Sequence, residues 1–151
     1  MTPDAVKNYR VDKTGWRKGP WMTEPDRVDF RHAGFPCLIL RQRDVGFLCG
    51  YVGVPPGHVA HGKDYGDVDV NVHGELSYSA ACDGERICHV PEPGEPDDVH
   101  WLGFDCMHTF DMAPVRPDGW YFVADRQYRD VAYVRREVES LAEQLAAMAR
   151  R

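Results

Sequence analysis

The C-terminal stripe of apolar residues constrains the fold more than any other feature of the sequence. Val131, Val134, Val138, Leu141, Leu145 and Met148 recur at spacings of three and four, with Arg135, Arg136, Glu137, Glu139, Glu143 and Gln144 between them. Apolar residues at that period share one face of a 3.6-residue helix, so the spacing predicts an amphipathic helix from about Tyr128 to Met148. Asp125 or Asp130 can cap its start. A helix with one apolar face needs a surface to cover. A sheet is the simplest partner, and a second helix is the alternative that a stripe of about three heptads leaves open.

Upstream, the periodicity changes to that of strands. Cys37-Leu38-Ile39-Leu40-Arg41 and Phe47 to Val54 flank the turn residues Arg43-Asp44-Val45-Gly46 and read as a β-hairpin. Asp67 to Val72 alternates strictly, with the valines on one face, and reads as a half-buried strand delivering His73. Leu76 to Ala80, Ile87 to Val90, Val99 to Asp105 and Trp120 to Val123 read as further short strands. Pro55 to Asp67, the proline-rich acidic run from Pro91 to Asp98, and residues 112–120 read as loops. Residues 1–30 contain Tyr9, Trp16, Trp21 and Phe30 but no periodicity, and read as an irregular arm packed on a single domain of residues 31–151. Strands first and a long helix last imply an α+β fold: an antiparallel sheet of short strands with one C-terminal amphipathic helix on one face.

Composition narrows the function classes. The 151 residues suit one domain, and 43% hydrophobic content is that of a chain with a core. No apolar run approaches the ~18 residues of a membrane span, and the polar stretch Met1 to Arg10 has no signal core. The expectation is therefore a cytoplasmic protein with no membrane partner. A net charge of −6 disfavours nucleic acid as a partner, because a phosphate-backbone binder needs a basic patch. Five cysteines, Cys37, Cys49, Cys82, Cys88 and Cys106, are an odd count that reads as reduced thiols rather than a disulfide framework.

The polar chemistry lies between His73 and Asp111. His73-Gly74 sits at an expected strand end, where glycine lets the backbone turn and leaves room for a ligand. Gly103 to Asp111 places Asp105, His108 and Asp111 within seven residues. His108 and Asp111, three apart, can share a face, and Asp105 can fix the tautomer of His108. The plain alternative for the two aspartates is local turn capping. As a mixed imidazole–carboxylate set, His73, Asp105, His108 and Asp111 could act as acid–base groups or hold a divalent metal. Trp21, Tyr78 and Trp101 are candidates for a stacking wall. Cys82, Cys88, His89, Cys106 and His108 offer soft ligands for a structural zinc, at unconventional spacing. His58, His61 and Asp64 read as part of a solvated loop. The sequence has no HExxH, CxxC pair, EF-hand, Walker A, Rossmann fingerprint or GxSxG elbow.

Gly19-Pro20-Trp21, Glu24-Pro25-Asp26, Pro36-Cys37-Leu38-Ile39, Cys49-Gly50-Tyr51-Val52-Gly53-Val54, His73-Gly74, Cys88-His89-Val90 and Gly103-Phe104-Asp105-Cys106-Met107-His108 follow in this order. With them the chain resembles a family of small bacteriophage and actinobacterial proteins, over roughly Gly19 to Leu145. That family typically carries HGG-L-[TS]-[YF] and WW-x-GFD-x-AH-x-x-D motifs. Here Glu75 stands in place of the second glycine, His100 in place of the first of the two tryptophans, and Met107 in place of a small residue. The resemblance implies a phage accessory protein, acting in the host cytoplasm if phage-encoded, and adds context rather than a mechanism. Two functions are expected from these observations. One is a small hydrolase acting on a compact polar, nucleotide-like ligand. The other is a non-catalytic protein that sequesters a host signalling ligand or blocks a host protein.

Overall fold

The computed structural model describes residues 8–82, 87–88, 98–115 and 126–149. At its centre is the hairpin expected from the two apolar runs. β2 (Phe35–Arg41) pairs antiparallel with β3 (Leu48–Val54), Leu38 opposite Tyr51. Every residue of β2 is buried. Both faces of the sheet are therefore covered, which explains a continuous apolar run where a half-exposed strand would alternate. β1 (Arg27–His32) adds to one side of the hairpin. β5 (His100–Asp105) adds to the other and carries β4 (Tyr78–Ala81) as an edge strand. Among the described residues the order is β1-β2-β3-β5-β4, antiparallel throughout. The helix α1 (Val131–Ala149) packs on one face, principally against β3 and β2. The class is α+β.

The helix face of the sheet joins Cys37, Ile39, Val52, Leu102 and Phe104 to Val134, Val138, Leu141 and Leu145 of α1, all buried. Gly50 lies beneath the helix, where a Cβ would run into the side chains of Val138 and Phe104. The opposite face joins Leu38, Leu40, Tyr51 and Trp101 to Tyr9 and Val11 of the N-terminal segment. That segment is tied down through Asp26, whose carboxylate accepts from the Val11 N–H at 2.8 Å and from Arg41 Nε at 2.7 Å. Arg41 is fully buried and also donates to Gly46 O, Tyr128 Oη and Glu24 Oε1. Burial by itself would raise the Asp26 pKa. Lys13, the Val11 amide and Arg41 outweigh it and hold the carboxyl below its ordinary value.

Several expectations are corrected. Arg27 to Phe30, assigned to an irregular arm, are the first part of β1; their short run of mixed polarity gave no period to detect. Asp67 to Val72 does not join the sheet. Its valines do face the core, but at its end the backbone of Asn71 and His73 pairs with helix side chains instead of a neighbouring strand. The Asn71 N–H donates to Gln144 Oε1, Gln144 Nε2 donates to Asn71 O, and the His73 N–H donates to Glu137 Oε1. Ile87 and Cys88 form a bend rather than a strand. Residues 89–97 and the expected strand at Trp120 to Val123 lie outside the described residues. α1 starts at Val131, where Glu24 Oε2 accepts the Val131 N–H and Asp130 Oδ1 the Tyr133 N–H, each at 2.8 Å. His58 is not solvated. It is buried, and its Nε2–H donates to Leu145 O in the last turn of α1.

The expectation of five reduced thiols is also overturned. Cys82 and Cys88 form a disulfide, and Cys37, Cys49 and Cys106 lie outside any disulfide. An odd count guarantees one unpaired thiol and forbids no pair. The bond also removes the structural-zinc set, since neither Cys82 nor Cys88 has a thiolate to offer. Burial pushes the Cys37 thiol up to about 12 and that of Cys106 higher still, so both are inert core thiols.

Candidate functional site

The site is organised around one buried carboxylate. Asp111 lies in a turn in which its N–H donates to His108 O at 2.9 Å and its Oδ2 accepts the His108 N–H at 3.0 Å. The segment is held against residues 126–128 by the Met112 N–H to Gln127 O and the Gln127 N–H to Phe110 O. His73 reaches the same carboxylate from the long connection between β3 and β4. Its Nε2 lies 2.9 Å from Asp111 Oδ2 and 3.1 Å from Oδ1. His108 Nδ1 lies 3.1 Å from Oδ2, and Arg129 Nε donates to Oδ1 at 2.8 Å. The two imidazole centroids are 5.5 Å apart. The fourth expected member, Asp105, stands 3.8 Å from His108 Nε2. It accepts from the Met107 N–H and from Ser77 Oγ, so it also performs the local capping that was its plain alternative.

Protonation states follow from these partners. Burial alone would raise the Asp111 pKa. Hydrogen bonds from His73, Arg129 and the His108 amide outweigh it and lower the pKa, so the group is an acceptor only. The imidazole nitrogens facing it must then carry protons. His73 donates from Nε2, and its Nδ1 accepts from Tyr133 Oη at 2.7 Å. Burial, then the charge of Glu137, pushes the Tyr133 phenol up, which keeps it a neutral donor. His108 donates from Nδ1. In the neutral ring the lone pair is then on Nε2, and the side chain is 39% exposed.

Gly74 accounts for the His-Gly pair. It occupies the third position of a turn closed by the Glu75 N–H to Val72 O, with φ +65°, where glycine is favoured. A Cβ on Gly74 would also overlap the outer edge of the His108 ring. Glu75 follows with φ +71°, a left-handed conformation that glycine adopts without strain.

His73, His108, Asp111 and, at its margin, Asp105 are therefore brought together. The candidate aromatic wall is not. Trp101 has no exposed surface, and its Nε1–H meets Cys82 Sγ. Trp21 is 3% exposed and packs edge-on against Tyr128. Tyr78 packs edge-on against Tyr51. The two tryptophans lack the accessible surface that a stacking face needs, whereas Tyr78 is partly exposed. The residues that the sequence reading missed are Tyr133, Arg129 and Glu137, and also Phe110, which is 59% exposed on the turn that carries His108. Tyr133 carried a faint signal as an aromatic residue inside the polar part of the helix pattern. Two cavities, of about 420 and 310 Å³, lie elsewhere, around Tyr65–Val70 with Glu75 and around Val59 with Met148. No helix among the described residues is long and apolar enough to cross a membrane. No protein-family model, curated protein or solved structure matches the chain.

Proposed function

We propose that the chain is a phage-type accessory protein that handles a small polar, nucleotide-like ligand at the His73–Asp111–His108 centre, and does so hydrolytically. One observation carries this reading. The buried Asp111 carboxylate faces one nitrogen of each imidazole, so in its neutral form His108 turns Nδ1–H toward Asp111 and carries its lone pair on Nε2, at the outer edge of the cluster. A carboxylate behind an imidazole holds the ring and stabilises the imidazolium formed when its far nitrogen takes a proton. His108 Nε2 would take a proton from water as the water attacks and return it to the leaving group. Tyr133 and Arg129 hold His73 and Asp111 in place.

The second reading is a non-catalytic protein that sequesters a host ligand or blocks a host protein. It is favoured by Phe110, an apolar group presented to solvent beside His108. One experiment separates the two. The full chain is assayed for turnover of p-nitrophenyl phosphate, bis-p-nitrophenyl phosphate and p-nitrophenyl acetate, and for thermal shift with a nucleotide panel. The His108→Ala variant, checked for fold by circular dichroism, is run beside it. Hydrolysis that falls about 10²- to 10⁴-fold in the variant supports the proposal. Binding without turnover supports the second reading. Equal behaviour of wild type and variant removes the cluster from function.

A further inference from the structure

The nitrogens that face Asp111 are spaced for more than a hydrogen bond. His73, His108 and Asp111 each offer one ligand atom, all within 4.8 Å of one another. The nitrogen-to-Oδ2 distances are 2.9 and 3.1 Å. With metal–ligand bonds of about 2.1 Å, neighbouring ligands on one ion stand about 3.0 to 3.4 Å apart. Both nitrogen-to-Oδ2 pairs already stand near that spacing, and the two nitrogens, within 4.8 Å of each other, close toward it when they share an ion. We infer that His73 Nε2, His108 Nδ1 and Asp111 Oδ2 form a binding site for one first-row divalent transition ion, with further positions open to water or ligand.

The surroundings of the three groups support this. A metal-binding imidazole normally donates its other N–H to an oxygen that orients it. His73 Nδ1 has such a partner in Tyr133 Oη at 2.7 Å, while Asp105 Oδ1 stands 3.8 Å from His108 Nε2, just outside hydrogen-bond reach. On binding, each imidazole exchanges one tautomer for the other. The proton leaves the nitrogen facing Asp111, and one is held on the far nitrogen, toward Tyr133 or Asp105, with no net change in charge. Arg129 donates to Oδ1, which leaves Oδ2 as the monodentate donor. Two imidazoles and one carboxylate suit zinc, iron(II) or cobalt(II) rather than calcium or magnesium, which favour oxygen ligands.

This inference rests on the reading of the cluster as the working site, and it transfers water activation from His108 Nε2 to the ion. The full chain, stripped with a chelator and dialysed, is titrated with zinc(II) and cobalt(II) chlorides by calorimetry. The expected result is one ion per chain, lost in His108→Ala, weakened about 10-fold or more in Tyr133→Phe, and unchanged in His61→Ala. His108 is exposed enough for its alanine variant to fold, and circular dichroism checks that it does. No stoichiometric ion in wild type, or an unchanged isotherm in folded His108→Ala, overturns the site. If wild type binds no ion but its turnover still depends on His108, the metal site falls and the acid–base reading stands. One ion bound with neither turnover nor nucleotide binding upholds the metal site and sinks the ligand reading.

Discussion

Two adjacent residues in the turn before β4 solve opposite problems. Gly74 is required twice over, by its left-handed backbone and by the His108 ring beside it. Glu75 holds a left-handed conformation without being glycine. A left-handed non-glycine residue costs roughly 1–2 kcal/mol, against roughly 0.5–1 kcal/mol for the extra chain entropy that glycine loses on folding. Glu75 is exposed, so little packing opposes its replacement. Glu75→Gly should stabilise the fold by up to about 1 kcal/mol in urea denaturation. A loss of comparable size would mean that the glutamate side chain contributes something this backbone argument omits, such as a role at the neighbouring acidic cavity.

At the scale of elements, α1 both supports the fold and builds the site. Its apolar stripe is the core, while Tyr133 and Glu137 on its flank hold His73, and Arg129 just before its start holds Asp111. Leu141 is fully buried among Val134, Val138 and Leu145. Leu141→Ala should therefore cost about 2–5 kcal/mol in equilibrium unfolding. A loss below about 0.5 kcal/mol, the range of ordinary surface substitutions, would place the stripe at the surface. The connection from β3 to β4 shows why alternation is an incomplete signal for a strand. Val68, Val70 and Val72 turn inward as the pattern requires. Their neighbours' backbone groups find partners in Gln144 and Glu137 rather than in a ladder.

For the whole molecule, the decisive surprise is the covalent one. The Cys82–Cys88 bond lies beyond the end of β4, and Arg27 of β1 donates to Cys88 O at 2.7 Å. That hydrogen bond runs from edge strand β1 to the segment that follows the other edge strand, β4. Disulfides persist in oxidising surroundings and are rare in the cytosol, which sets this bond against the cytoplasmic expectation. Alkylation of the denatured chain without reductant should label three thiols, and five after reduction. Five labelled at the outset would show the pair to be reduced.

The central hairpin, the strand ending at Asp105, the C-terminal helix and the α+β class were legible in the chain itself. In each, the local period of apolar residues matches the face that tertiary packing buries, so one signal carries both. The sequence also marked the four polar residues of the site, because three of them are close in sequence and the fourth precedes a glycine. The rest came from long-range packing. β1 is a strand because β2 offers it an edge. Residues 68–72 are not, because helix side chains reach them first. Trp21 and Trp101 are core rather than ligand wall. The Tyr133, Arg129 and Glu137 contacts span 18 to 64 residues of sequence, a separation over which no local pattern carries information. Their pairing with His73 and Asp111 exists only once the helix has settled on the sheet.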